Sequence, residues 1–264
     1  PNSSVPLSKV LDVNFDDGTA DDHSGHGNNG ILAGNPNFVS DGRGGKALRI
    51  ANSADVANQN KPAEQYVDFG NAIKFGVDDF TILFRYKGPV TGNFGGCIIG
   101  NKDGVSNGNP GFAIGAFDGN PGTPGIGLSF NTAGKTEVAT DHYSSATDGK
   151  WHNIAAVFDR SDLMKLYIDG KKVGEKKINQ NTGTVDVDTL KLILGADGKG
   201  QNGVREMVID DLKIYRHAMG NGEISSTWNP YQVEAGTDSI TVSWPVPPQD
   251  ERFGDETSDV VEPA

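Results

Sequence analysis

Turn-forming dipeptides divide this chain more finely than any other feature. Asp-Gly occurs seven times, at 17, 41, 103, 118, 148, 169 and 197, and Asn-Gly four times, at 29, 107, 202 and 221. Both pairs favour the tight turns of β-hairpins, because Asp, Asn and Gly tolerate a positive φ. The acids are equally one-sided: 26 are Asp and 9 are Glu, with 22 Asn beside them. Glu supports helices, whereas Asp and Asn compete with the helical backbone for hydrogen bonds. No long stretch shows a period of 3.6 residues, so the chain is expected to be all-β, with many strands and long loops.

Alternation places the strands. In Val10–Asp16, Leu11, Val13 and Phe15 share one face and Asp12, Asn14 and Asp16 the other. Further strands are expected around 47–50, 66–69, 80–86, 125–130, 151–158, 163–168, 171–178, 190–194 and 206–215. The run Phe80–Tyr86 is β-branched and aromatic and should be central. Two short strands with long loops are expected within 91–125, and one short helix over 223–228. Residues 1–9 read as a leader, 10–230 as one domain, and 231–264 as an acidic tail or linker. The tail carries eight acids and one Arg, and its DSITVSW stretch resembles the first strand of a fibronectin type III-like domain. This suggests a chain cut from a longer protein.

Charge and composition exclude several classes. A net charge of −12 opposes nucleic-acid phosphates, so no nucleic-acid partner is expected. Apolar runs are only a few residues long, so no membrane insertion is expected. The single Cys97 excludes an internal disulfide, leaves the compartment open, and sits in an apolar patch as a small core residue. No G-x-S-x-G, P-loop or paired-carboxylate E-x-D-x-x-E pattern occurs, so no catalytic residue is assigned.

The stretch Asp12–Asn29 is the densest group of oxygen ligands, the donors that Ca²⁺ prefers. It fails the EF-hand pattern, because Asp17 stands where the glycine belongs and His23 where the closing Glu belongs. In Met207–Tyr215, strict alternation puts Asp210 on an apolar face with Val208, Leu212 and Ile214. A buried carboxylate needs a partner, and a cation shared with the first loop would supply one if the first and last strands were neighbours. His23 and His26 lack further zinc ligands and are expected to be turn residues, as are the other histidines. Trp151 and Trp228 are expected in the core. Phe94, Phe117 and Tyr143 lie in loops and are the aromatic candidates for stacking on a sugar ring.

Taken in order, NFDD (14–17), DHSGHGNNG (22–30), DGRGGKALRI (41–50), YVDFG (66–70), FTILFRYK (80–87), DGKWHNIAAVF (148–158), LYIDG (166–170) and IDDLKIY (209–215) resemble the bacterial laminin-G-like, concanavalin A-like jelly-roll domains. The match runs over about residues 10–228. It departs at Arg85, where relatives often carry Trp, and in the long glycine-rich stretch 91–125. The resemblance implies a two-sheet antiparallel β-sandwich with first and last strands adjacent. It also implies one structural Ca²⁺, with Asp16, Asp22, Asn28 and Asp210 at or near it. The expected function is a non-catalytic carbohydrate-binding or adhesion module of a secreted or cell-surface bacterial multidomain protein. Its partners would be a glycan or cell-surface polysaccharide and neighbouring domains. The alternatives are a structural spacer packed on a catalytic domain, or a polysaccharide lyase or glycoside hydrolase on the same fold, since fold does not fix function.

Overall fold

The structure, a computed structural model, describes residues 8–53, 61–89, 95–104, 109–118, 124–228, 232–235 and 240–243. Its strands are β1 (Lys9–Val13), β2 (Ile31–Ala33), β3 (Asn37–Ser40), β4 (Lys46–Ala51), β5 (Tyr66–Asp68), β6 (Phe80–Lys87), β7 (Cys97–Gly100), β8 (Gly111–Asp118), β9 (Pro124–Asn131), β10 (Val138–Ala139), β11 (Trp151–Phe158), β12 (Leu163–Ile168), β13 (Lys171–Lys177), β14 (Ile193–Leu194) and β15 (Glu206–Tyr215). They form two antiparallel sheets. One has eight strands in the order β13-β12-β11-β6-β15-β4-β3, with β1 also pairing β15, and the other has seven in the order β10-β9-β8-β7-β14-β5-β2. First and last strands of the sandwich are therefore neighbours, as expected, with Val13 opposite Leu212.

One apolar core fills the space between the sheets. Phe80, Ile82, Phe84 and Tyr86 of β6 meet Phe112, Ile114, Ile126, Leu128 and Phe130 of β8 and β9 there. Phe80 and Phe158, cross-strand partners, stack with centroids 4.4 Å apart. Such aromatic pairs contribute beyond the area they bury. The single α-helix among the described residues, α1 (Asn221–Trp228), lies against the outer face of the eight-stranded sheet. Its Ile224 packs with Leu83, Ala155, Val157, Tyr167 and Tyr215. This explains why every residue from Phe80 to Tyr86 is buried: β6 is central and covered on both faces.

The strands that sequence alternation missed are short edge or near-edge pieces: β2, β3 and β10 have three, four and two residues. Too few positions exist there for a period to register. The expected strand at 190–194 shrinks to Ile193–Leu194. In the tail, β16 (Gln232–Ala235) and β17 (Ile240–Ser243) pair with each other in a separate hairpin. Cys97 is buried in the core, and burial pushes its thiol pKa up.

Two Asp-Gly turns meet at one buried histidine. His152 Nδ1 lies 2.7 Å from Asp169 and Nε2 lies 2.8 Å from Asp148. Burial works to lower its pKa, but the two carboxylates win and hold it above the usual histidine range. His152 is thus a strand residue that ties the β12–β13 turn to the turn leading into β11.

Candidate binding groove

The outer face of the eight-stranded sheet is only half covered by α1. On the other half, β15 carries a bulge. Asp210 pairs with Arg85, but Lys213 pairs with Leu83, so two residues face one. Asp211 takes φ +52°, the left-handed region that accepts Asp more readily than most side chains. The extra residue switches the faces. Met207 and Ile209 point into the core before the bulge, and Leu212 and Ile214 after it. Asp210 therefore lies on the outer face, contrary to the alternation argument, which assumed an unbroken strand. It is nonetheless buried, at 2% exposure.

Its cover comes from the β3–β4 hairpin. Asp41 Oδ1 accepts the backbone N–H groups of Arg43 and Gly45 at 2.7 and 2.9 Å, fixing a loop in which Gly42 and Gly44 have φ of 80° and 103°. That loop projects Arg43 over the bulge. Its guanidinium donates to Asp210 at 3.0 Å and to Asp211 at 2.5 Å. From below, buried Arg85 donates to Asp210 at 3.3 Å, and its guanidinium lies 4.5 Å from the Trp151 ring centroid. Such stacking suits a guanidinium. Trp151 is thus half-buried on the outer face and not in the core. Burial, with Asp211 adding like charge, pushes the Asp210 pKa up to about 6. Burial also works to lower that of Arg43, but Asp211 and Asp210 raise it.

The same hairpin walls an open groove of about 990 Å³ at the β3 edge of the sheet, lined by Asp16, Phe38, Ser40, Lys46 and the glycines 44 and 45. Asp16 Oδ1 accepts the N–H of Lys46 at 2.9 Å. A Cβ at position 45 would stand 2.1 Å from that oxygen, so the close approach requires glycine. Phe38 is half-buried against the core. Exposed Asp16 and Lys46 flank it with one charge of each sign.

The four expected metal residues fall into three separate settings. Asp22 Oδ1 accepts N–H groups of Asp12 and Ser24 at 3.0 and 2.8 Å, and Oδ2 accepts the Ser24 hydroxyl and the Asn28 N–H at 2.8 and 2.9 Å. These four bonds fill the carboxylate's usual acceptor capacity. Asn28 joins it and donates through Nδ2 to the Val10 carbonyl at 2.8 Å. Asp16 lies in the groove, and Asp210 is paired with two arginines. A calcium ion bridging the first loop and the last strand does not fit this donor set: guanidinium groups stand where that cation was expected. Among the described residues, no three His, Cys, Asp or Glu side chains are placed to hold a metal.

Of the aromatic candidates, Phe94 lies outside the described residues, and so does the side chain of Phe117, whose backbone is in β8. Tyr143 pairs with Ile126 in a bridge and sets its half-buried ring over Gly174 of β13, where a Cβ would meet it at 2.4 Å. Arg43, Asp41 and Phe38 were not singled out from sequence. Arg43 reaches a residue 167 positions along the chain, a contact that no local pattern encodes.

Comparison with known proteins agrees with the fold. No curated protein matches the chain. Among solved structures, the binding domain of Paraclostridial Mosquitocidal Protein 1 superposes with a TM-score of 0.63 at 21% identity, covering 86% of this chain and 53% of that one. The receptor binding domain of botulinum neurotoxin C/D mosaic serotype gives 0.61 at 12%, covering 92% and 63%. Domain 4 of AbnA, a GH43 extracellular arabinanase from Geobacillus stearothermophilus solved in complex with arabinotriose, gives 0.59 at 16%, covering 83% and 97%. The chain thus spans about half the length of the first of these and nearly all of the last. At such identities the likeness concerns the fold, and the two toxin structures are named as binding domains. Among the described residues, no helix is long and apolar enough to cross a membrane. The model of the concanavalin A-like lectin/glucanases superfamily matches residues 61–225, well over half of the chain, and the protein belongs to that superfamily.

Proposed function

We propose that the chain is a non-catalytic carbohydrate-binding or adhesion module of a secreted or cell-surface protein. One observation carries the reading: the groove at the β3 edge combines a half-buried aromatic ring, Phe38, with Asp16, Ser40 and Lys46. An aromatic face suits the apolar side of a sugar ring, and the polar groups suit its hydroxyls. The scaffold beneath is rigid, because glycine 45 and Asp41 fix the hairpin that forms the wall. Long loops on such a scaffold are where binding resides. The arabinotriose complex of the AbnA domain supports a sugar as ligand on this fold.

The test is a glycan array followed by calorimetric titration of the best hit. The proposal predicts binding that Phe38→Ala and Asp16→Ala each weaken about tenfold or more, equivalent to at least ~1.4 kcal/mol. Absence of binding to every glycan would favour the spacer alternative.

A further inference from the structure

At the opposite edge of the same sheet, β13 reads KKVGEKK, the densest cationic stretch of an acidic chain. Lys171, Lys172, Lys176 and Lys177 are all exposed. Glu175 is committed to Lys172 at 2.6 Å. Lys171, Lys176 and Lys177 have no carboxylate within ion-pair distance among the described residues. Between them sits bare Gly174, covered by the half-buried Tyr143 ring. The pairings of Lys171 with Ile168, Gly174 with Leu166 and Lys176 with Met164 place these three on the core-facing side of the strand, so two lysines bracket Tyr143 along the flank of the sandwich.

We propose that β13 is a binding strip for a linear polyanionic polysaccharide, distinct from the groove at the β3 edge. Seven extended residues span about 20 Å, more than one sugar ring and suited to a polymer. Ammonium groups recognise carboxylate or sulfate as point charges and do not choose between them. The rest of the chain selects the shape of the partner. A duplex or a membrane is broad, and it would press a body of net charge −12 against its own charge. A single polymer chain touches only the strip, and repulsion beyond about 8 Å is screened at physiological salt. Lysines on an edge strand also discourage sheet-to-sheet pairing; that role calls for positive charge at the edge but not for a bound polyanion.

The full chain is tested for binding to polygalacturonate, dextran sulfate, neutral dextran and duplex DNA, at low and at 300 mM salt. The wild type is compared with the triple variant Lys171→Glu/Lys176→Glu/Lys177→Glu and with Phe38→Ala. A triple Lys→Gln variant, checked by thermal melting, guards against misfolding of the charge reversal. The proposal predicts binding of one or both acidic polymers but not of neutral dextran. Both triple variants and high salt should weaken it about tenfold or more, and Phe38→Ala should leave it unchanged. Polygalacturonate binding alone identifies the carboxylate form of the partner, and dextran sulfate binding alone the sulfate form. No binding of either acidic polymer at low salt, equal binding by the triple variants, or duplex DNA bound as tightly would overturn it. Loss of the groove ligand in Phe38→Ala with the strip intact would separate this proposal from the previous one.

Discussion

Asp22 and Asp210 are two carboxylates that are satisfied in different ways. Asp22 is served from nearby in sequence, by three backbone N–H groups, one of them Asp12 of β1, and one hydroxyl, all within ten residues. Asp210 has one local donor, the Asp211 N–H at 2.8 Å, and is otherwise served by arginines 125 and 167 residues away. Burial works to raise the Asp22 pKa, but its hydrogen bonds win and lower it. At Asp210 burial and the like charge of Asp211 prevail, and the pKa rises to about 6 although the Asp211 N–H and two guanidinium groups oppose it. At Asp22 the hydrogen bonds together outweigh desolvation, which is the largest single cause there. Distant side-chain cations must be desolvated themselves, as the lowered pKa of buried Arg85 attests.

The largest expected effect comes from breaking the distant solution. Arg85→Ala should destabilise the protein by about 3 kcal/mol, because it leaves a buried carboxylate with Arg43 as its one cationic partner. Arg85→Met combined with Asp210→Leu should recover most of that loss, and denaturant midpoints of the two variants measure it. A double variant no better than Arg85→Ala would mean that packing against Trp151, and not charge, dominates. Breaking the local solution should cost less. Asp22→Ala is expected to lose about 2 kcal/mol, through N–H groups left without an acceptor.

Acidity should separate the two sites by sign. A folded pKa raised from 3.8 to about 6 means that native Asp210 binds a proton more readily than the unfolded chain. Its contribution therefore weakens stability as pH rises from about 4 to 6. The lowered pKa of Asp22 acts oppositely: its contribution is present above 3.8 and lost as pH falls through the folded value. Asp210→Asn should flatten the first slope and Asp22→Asn the second, read as unfolding midpoints across pH 2.5–7. His152, raised by its two aspartates, adds stability below pH 6.5 that fades above it, and His152→Asn removes that background.

This contrast also marks what the sequence can reveal. Strands of five or more residues announce themselves by alternation, and the order of weak motifs announces the fold. The Asp22 loop is legible as a motif, Asp-x-Ser-Gly, but sequence reads it as a metal loop, whereas protein donors fill the carboxylate. The Asp210 site is not legible. Its bulge is built from Asp and Leu, with no glycine to flag it, so alternation assigned the wrong face. Its partners are an arginine in a hairpin loop and another on β6, which only the sheet order brings together. The groove is not legible either: sequence singles out Asp16 only as a metal residue, and Phe38 lies on a four-residue edge strand too short to register.

The most direct test of this account is thermal unfolding of the wild type in EDTA and in millimolar Ca²⁺, with Asp210→Ala alongside. Two charges matched by arginine and by backbone need no ion, so the two wild-type curves should coincide and Asp210→Ala should melt at its own temperature in both buffers. A Ca²⁺-dependent rise in the wild type, on the scale of ~2.7 kcal/mol for an ion at a hundredfold its Kd, and absent in Asp210→Ala, would contradict it.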